Sequence, residues 1–423
     1  MVKIYTRYLV FICMLIASFG HIDAAKKNCK AIKSHSISTN QTVLQSASDQ
    51  YGLAIPYAYL MDAETGAVLY AHQADVKMSP ASMTKILTAY IVMDKIKQGE
   101  LKEDHILTVS KNAFRREGTT MFLNLGQQVP VIELLKGLII DSGNDASVVL
   151  AEALAGTEKN FSNMMNMYAK KLGMENTHFL NASGIPQDGH YTTAHDLAIV
   201  AYRVYKDFPQ YFPLWGTQEY KFNGINQLNK NSLLAKNIGC DGMKTGRGEN
   251  MRCGMVGTCV KNGRRLIAVV NDLKSEKVRE HQILALMNHG FIACENYFFF
   301  KEKHIVDRIP VWHGTKSHIR IGFKDKVMFT NKHVNIDDIK IDFSYEKSFK
   351  APVEKGQIIG KMTVVFPDDQ TVYQKNIETL EAVEKTNIFG RFYDGIIYLL
   401  GARDYSDDRQ KIKPFPDLKP TGA

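Results

Sequence analysis

The sequence lacks the features that would place its 423 residues in several common classes of protein. It contains no helix-turn-helix, zinc-finger or aromatic RNA-binding signature, so we expect no nucleic-acid partner even though its net charge is +9. It contains no apolar run that reaches the ~20 residues of a membrane-spanning helix. The length fits a core domain of ~250 residues with a smaller second domain.

The six cysteines form neither a metal-binding pattern nor a disulfide framework. None of them has the Cys-x-x-Cys or Cys-x-x-His spacing that is typical of metal sites. If Cys13 is removed with the amino-terminal segment described below, five cysteines remain, which is an odd number. A single bridge that involves Cys240, Cys253 or Cys259 is compatible with an oxidising compartment, and the sequence leaves its pairing open.

The amino-terminal segment has the pattern of a secretory signal peptide, which we assign to residues 1–24. Lys3 and Arg7 give it a positive start, and the apolar stretch 8–19 follows. Twelve residues are too few to span a membrane, which argues against an anchor helix. The polar, aperiodic residues 25–50 are interpreted as a flexible lead-in.

Hydrophobic periodicity predicts an α/β (α+β) domain over residues 51–296. Two alternating segments that flank a turn at Gly66 predict a β-hairpin, and three more segments after Cys240 predict antiparallel strands. Helical periodicity between them predicts an insertion of helices. We place these helices at 80–98, within 130–173 and at 197–205, with a last one at about 278–293. An antiparallel sheet that draws strands from both ends of the region is therefore expected.

The hydrophobic pattern changes in the carboxyl-terminal third of the chain. Short alternating segments separated by turn residues predict a small all-β domain over 297–384. Residues 385–401 follow, with apolar side chains on one broad face, and predict an amphipathic helix that lies in a membrane interface; a helix packed on its own domain is the alternative. Residues 402–423 form a polar tail.

Three short motifs carry candidate chemistry. Ser82 and Lys85 begin a buried helix, one turn apart, with Ser79 expected as its N-cap. Ser142-Gly143-Asn144 interrupts two predicted helices, and Lys244-Thr245-Gly246 lies on a predicted strand. Each motif alone is weak, since Ser344 and Lys347 repeat the first spacing in the β domain. Their order and context together indicate an active-site serine enzyme.

The segment from about 52 to 295 resembles the low-molecular-weight penicillin-binding proteins of the D-alanyl-D-alanine carboxypeptidase family, peptidase family S11. The blocks that carry the resemblance are "PASMTK", "MFLNLGQQV", "SGNDAS", "GMENTHFLNASGI", "HYTTAHDLA" and "DGMKTGRGE". The β domain and the terminal amphipathic segment match the layout of membrane-attached members. The resemblance implies a serine β-lactamase/transpeptidase-like fold for the first domain.

The resemblance also implies catalytic roles for five residues. Ser82 would be the nucleophile and Lys85 its general base, because a serine hydroxyl needs a base to take its proton. Burial and the nearby charge of Lys244 would keep the Lys85 amine neutral. Ser142 would relay a proton to the leaving amine, and Asn144 would hold Lys85 and a substrate amide.

Four further residues are assigned to substrate binding by the same resemblance. Gly246 would let a substrate backbone approach the strand, and Thr245 and Arg279 would bind the terminal carboxylate. The backbone N–H groups of Ser82 and Arg247 would form an oxyanion hole. For Arg279 a solvated charge at a helix start is the alternative. Arg247 departs from the family, in which many members carry His or a neutral residue.

The implied reaction is removal of the last D-alanine from peptidoglycan stem pentapeptides through an acyl-enzyme, with no metal or organic cofactor. β-Lactams should acylate the same serine. The implied location is the periplasm, with peripheral attachment to the inner-membrane surface through the terminal helix. Three alternatives share the fold: a D,D-endopeptidase, a β-lactamase and a non-catalytic wall-binding protein. The β-lactamase is disfavoured because the chain has no Glu-x-x-Leu-Asn run.

Overall fold

The computed structural model describes residues 52–248, 251–367 and 371–388, together with Gly390. The predicted signal peptide, the lead-in, the polar tail and most of the predicted terminal helix lie outside the described residues.

The first domain contains a five-stranded antiparallel sheet. Its strands, in order across the sheet, are β2 (Val68–His72), β1 (Tyr57–Asp62), β9 (Arg264–Leu273), β8 (Cys253–Lys261) and β7 (Cys240–Arg247). The amino-terminal hairpin therefore pairs with strands from the far end of the domain, which confirms the predicted arrangement. The other strands of this domain are β3 (Ile106–Thr108), β4 (Gln128–Pro130), β5 (Glu219–Phe222) and β6 (Ile225–Leu228). The pairs β3–β4 and β5–β6 form small hairpins away from the main sheet.

Seven helices accompany these strands in the described part of the domain. They are α1 (Lys85–Lys97), α2 (Lys111–Phe114), α3 (Val131–Lys136), α4 (Asn144–Ala155), α5 (Glu158–Leu172), α6 (Ala194–Asp207) and α7 (Glu276–Ala293). One core cluster joins one face of the sheet to α1 and α3–α6, and a second joins the other face to α7. Because both faces are covered, β1 and β9 are buried almost without alternation.

The start of α1 differs from the prediction. A 3-10 turn, Ala81–Thr84, precedes the helix, and no side chain among the described residues caps it, so the predicted role of Ser79 is wrong. Ala81 adopts φ 46°, and a Cβ at Gly184 would lie 1.8 Å from its carbonyl oxygen. The turn is thus fixed by contact with a distant loop, which helix propensity does not encode.

The predicted helix that begins near 130 is also interrupted. After α3 the chain widens into a π-helical turn, Gly137–Asp141, and Ser142 then adopts a left-handed conformation with φ 64°. π-Bulges of this kind are common at functional sites. Here the turn delivers Ser142 and the start of α4 into the interior.

The second domain is all-β, as predicted. Its strands are β10 (Cys294–Phe300), β11 (His304–Trp312), β12 (His318–Phe323), β13 (Val327–Lys332), β14 (Lys340–Tyr345), β15 (Phe349–Lys350), β16 (Ile358–Val365) and β17 (Val372–Thr379). A two-stranded sheet, β10–β13, accompanies a six-stranded sheet in the order β14-β16-β17-β12-β11-β15. Sequence reasoning missed β10 and β11, of which β10 follows α7 without a linker. Aromatic residues of β10 pack in the core of the second domain.

Within the part of the chain that the structure describes, no helix has both the length and the apolar character needed to cross a membrane.

Candidate active site

The candidate nucleophile and base lie together at the start of α1. Ser82 occupies the 3-10 turn, and Lys85 is the first residue of the helix. Lys85 Nζ lies 3.1 Å from Ser82 Oγ. The Lys85 side chain is fully buried, with no exposed surface. An amine and an alcohol are therefore within hydrogen-bond reach in a site that excludes water from the amine.

Lys85 has two further neighbours, both acceptors. Its Nζ donates to Asn144 Oδ1 at 2.7 Å and to the Ser183 carbonyl oxygen at 2.7 Å. A neutral amine has two N–H groups and one lone pair, so both N–H groups are used and the lone pair is left for the Ser82 hydroxyl proton. Burial lowers the pKa of Lys85 well below its usual value, and the charge of Lys244 lowers it further. Geometry and electrostatics both favour the neutral amine.

The interrupted helix supplies the second wall of the site. Asn144 donates from Nδ2 to the Glu117 carbonyl oxygen at 2.7 Å, while its backbone N–H donates to the Thr119 carbonyl oxygen at 2.7 Å. Both contacts fix the amide so that Oδ1 faces Lys85. Ser142, two residues earlier, is buried. The first and second motifs are thus joined by a direct hydrogen bond.

Strand β7 supplies the third wall. A Cβ at Gly246 would lie 2.9 Å from the Pro80 carbonyl oxygen and 3.3 Å from Ala81 Cβ, so the strand passes directly against the turn that carries Ser82. Lys244, on the same face of the strand, is buried. Burial lowers its pKa to about 7, and the charges of Lys230 and Arg279 act in the same direction.

The free edge of β7 is open to hydrogen bonding. Within the described part of the chain, this strand is the last in its sheet and pairs only with β8. The Gly248 N–H donates inward to the Arg252 carbonyl oxygen, and Arg247 lies opposite Cys253 in the ladder. Because inward and outward groups alternate along an antiparallel pair, the backbone N–H groups of Arg247 and Thr245 point away from β8. They are available to a ligand that lies along this edge.

Arg279 and Arg247 occupy different environments. Arg279 lies in the first turn of α7 with only 3% of its surface exposed, so the alternative of a solvated helix-start charge is wrong. Its buried Nε has no hydrogen-bond partner among the described residues, and burial lowers its pKa. A buried guanidinium of this kind is suited to an anionic ligand. The Arg247 side chain is exposed, and its Nη2 lies 3.0 Å from Met251 Sδ.

Sequence reasoning missed several residues that shape the site. Burial raises the pKa of Asp141 to about 7, an effect that Asp145 strengthens and Lys244 opposes. Neither oxygen of Asp141 has a hydrogen-bond partner among the described residues. Its position next to Ser142 was the available signal, whereas nothing in the sequence pointed to Lys230. The structure also decides the cysteine pairing: Cys240 and Cys259 are bonded.

Comparison with known proteins agrees with this geometry. Residues 41–275 match the family model "D-alanyl-D-alanine carboxypeptidase", and residues 295–385 match "Penicillin-binding protein 5, C-terminal domain". The chain is 33% identical over 345 residues to D-alanyl-D-alanine carboxypeptidase DacA of Escherichia coli K12, an alignment that covers 80% of this chain and 85% of the relative. DacC of the same organism is 35% identical over 347 residues, with 80% and 86% covered.

The fold has solved counterparts as well. The crystal structure of penicillin-binding protein 5 from Haemophilus influenzae superposes with a TM-score of 0.75 at 31% identity and covers 79% of this chain and 98% of that structure. The match thus includes both the first domain and the all-β domain. The chain therefore belongs to the D-alanyl-D-alanine carboxypeptidase family of serine peptidases.

Proposed function

We propose that this carboxypeptidase removes the terminal D-alanine from peptidoglycan stem pentapeptides through an acyl-enzyme on Ser82. The observation that carries the proposal is the buried Lys85 amine, which lies 3.1 Å from Ser82 Oγ. Its two N–H groups donate to Asn144 Oδ1 and to the Ser183 carbonyl oxygen. Because this amine is buried, water does not compete with the Ser82 hydroxyl for its lone pair, and the amine can accept the hydroxyl proton.

Acylation begins when Ser82 Oγ attacks the carbonyl carbon of the penultimate D-alanine. The hydroxyl proton moves to Lys85 Nζ as the new C–O bond forms. The negative charge on the carbonyl oxygen is met by the backbone N–H groups of Ser82 and Arg247, of which the second faces the free edge of β7. The Asn144 amide orients both Lys85 and the substrate.

The C–N bond then breaks, and the departing nitrogen needs a proton. Ser142 passes its hydroxyl proton to that nitrogen and is resupplied by Lys244, whose pKa of about 7 leaves it able to give a proton near neutral pH. D-Alanine leaves. In the second half, water attacks the ester and gives its proton to Lys244, while Ser82 Oγ recovers the proton that Lys85 holds. The residues return to their starting states.

Substrate placement follows from the edge of β7 and the buried guanidinium of α7. The peptide backbone pairs with the outward-facing groups of Thr245 and Arg247, a form of strand addition. The terminal carboxylate binds Arg279 together with the Thr245 hydroxyl. Gly246 has no side chain to hold the substrate away from Ser82. A β-lactam that imitates this terminus acylates Ser82 in the same position.

The test of the catalytic proposal uses Ser82→Ala. Wild-type protein is expected to release D-alanine from a peptide that ends in D-Ala-D-Ala and to be labelled covalently by a fluorescent penicillin, whereas the variant does neither. Release of D-alanine by a folded Ser82→Ala protein would contradict the proposal. Cleavage of a cross-linked dimer in preference to the pentapeptide would favour the endopeptidase instead.

We also propose that the chain is exported and attaches to the outer leaflet of the inner membrane through residues 385–401, with basic residues favouring anionic lipids. The support is the apolar face of that segment in the sequence. A chain truncated after Val383 is expected to lose sedimentation with anionic vesicles while keeping carboxypeptidase activity. Equal sedimentation of the truncated and full chains would contradict membrane attachment through this segment.

A further inference from the structure

Strand β7 contains four residues of the proposed site, Lys244 to Arg247, and is held in its sheet by a single hydrogen-bonded ladder. Among the described strands its only hydrogen-bonded neighbour is β8, and it contains Gly242 and Gly246, which contribute no side-chain packing. The position of Lys244 relative to Ser82 therefore depends on how firmly the start of β7 is held. Two contacts hold the first residues of β7, and both are made by residues outside the proposed catalytic groups.

The first contact is covalent. Cys240, the first residue of β7, is bonded to Cys259 in β8, and the two residues face each other in the ladder. The bridge lies four residues before Lys244. Cys259 is buried, whereas Cys240 is partly exposed. A soluble thiol can therefore reach the bond from the side of Cys240.

The second contact is a bidentate ion pair one residue further along. Arg265 in β9 donates from its two terminal nitrogens to the two carboxylate oxygens of Asp241, each at 2.7 Å. Its Nη1 also donates to Thr258 Oγ1 at 2.7 Å. The guanidinium lies over the rings of Tyr205 and Phe212, 4.5 and 4.8 Å from their centroids. A planar guanidinium held by two rings and a bidentate carboxylate has little freedom to move.

We propose that this pair of contacts, here called the β7 clamp, positions Lys244, and that the chain reaches its full carboxypeptidase rate only after the Cys240–Cys259 bond has formed. The β7 clamp consists of Cys240, Cys259, Asp241 and Arg265. These are positioning residues, since none of them touches the reacting atoms. The proposal rests on the proposed function for the role of Lys244.

The oxidation that completes the clamp is a thiol–disulfide exchange. The thiolate of one cysteine attacks the disulfide of an oxidant, such as oxidised glutathione, and forms a mixed disulfide while one glutathione thiolate leaves. The second cysteine thiolate then attacks the mixed disulfide, which forms the Cys240–Cys259 bond and releases the second glutathione thiolate. The two cysteines lose two protons and two electrons, and the oxidant is reduced to two thiols.

The size of the expected effect follows from the distance dependence of proton transfer and attack. A displacement of about 1 Å in a catalytic group can lower a rate on the order of 100-fold. Release of one end of β7 is a smaller perturbation because Asp241 and Arg265 still hold it. We expect kcat to fall about tenfold on reduction. We expect KM to rise as well, because Thr245 and Arg247 of the same strand bind the substrate backbone, while Arg279 on α7, outside the clamp, still holds the carboxylate.

The experiment compares the full chain before and after mild reduction and after reoxidation with oxidised glutathione. D-Alanine release gives kcat and KM, and circular dichroism reports the fold. Reduction is expected to lower kcat with an unchanged spectrum, and reoxidation is expected to restore it. The Cys240→Ser/Cys259→Ser variant is the matched control: it should match the reduced protein and show no further response to reductant.

Two outcomes would overturn the inference. One is an unchanged kcat after reduction that mass spectrometry confirms at Cys240 and Cys259. The other is a fall in kcat that follows loss of the circular dichroism signal, since the bond would then serve the whole fold. Arg265→Lys, which keeps the charge but cannot make the bidentate contact, should lower kcat in the same direction; an unchanged kcat would remove the ion pair from the clamp. Penicillin labelling of Ser82 in the oxidised chain checks the proposed function separately.

Discussion

Replacement of Lys85 by methionine isolates the proposed general base. Methionine has a similar unbranched length and carries no charge, so it suits the fully buried position. Loss of general-base catalysis lowers rates by about 10²- to 10⁴-fold, which corresponds to about 3–5 kcal/mol of transition-state stabilisation. We expect kcat/KM for D-alanine release to fall within this range.

The stability of the variant can be worked out from the same contacts. Asn144 Oδ1 and the Ser183 carbonyl oxygen each lose the N–H group that lies 2.7 Å away. A buried acceptor left without a partner costs about 1–3 kcal/mol. The variant no longer has to bury an amine, a change that offsets part of this cost. We therefore expect a lower free energy of unfolding but a folded protein.

The assay is the rate of acylation by a fluorescent penicillin, with D-alanine release measured in parallel. The matched control is Lys347→Met, which removes the lysine of the second Ser-x-x-Lys pair. That lysine is exposed and follows β14 in the all-β domain, so its loss should leave both rates unchanged. A folded Lys85→Met protein that acylates within about threefold of the wild-type rate would refute the assignment of Lys85 as the base.

Three further predictions test other parts of the site. Arg279→Met should lower kcat/KM for a peptide with a free carboxyl terminus about 10- to 100-fold and abolish the preference over its carboxyl-terminal amide; an unchanged preference would place the carboxylate elsewhere. Gly246→Ala adds a Cβ 2.9 Å from the Pro80 carbonyl oxygen and should slow D-alanine release on the order of 100-fold. Gly248→Ala should not, because its Cβ would make only ordinary van der Waals contacts, 3.9 Å from the Arg252 carbonyl oxygen and 4.0 Å from Ser79 Oγ. Asp141 has a pKa of about 7 in the folded state, compared with 3.8 for an unperturbed aspartate. It therefore contributes stability that is present below pH 3.8 and is lost as the pH rises through 7. Urea unfolding at pH 5 and 7.5 should show this loss in the wild type and a smaller one in Asp141→Asn.

The fold class and the motifs were accessible from the sequence because both depend on local patterns. Period-two segments at both ends of the first domain predicted one antiparallel sheet, and β1 and β9 are indeed neighbours in it. The spacing of Ser82 and Lys85 is one helical turn, so their proximity follows from local geometry alone. The order of three motifs also distinguished this pair from the one at Ser344.

The irregular turns of the backbone could not be predicted from the sequence. The 3-10 turn that carries Ser82 depends on the packing of Gly184 against Ala81, about a hundred residues away. The π-helical turn before Ser142 likewise has no signature in the hydrophobic period. Short strands such as β10 were missed because their aromatic residues are buried on both faces and do not alternate.

The sequence by itself determined which chemical groups are present and the order in which they occur along the chain. Only the tertiary structure decided their states. It buried Lys85, Lys244 and Arg279, which lowers the pKa of each because burial penalises the charged form. It also chose Cys259 as the partner of Cys240, since the register of two strands fixes which side chains face each other. Burial and register arise from contacts between distant segments, and no short stretch of sequence contains them.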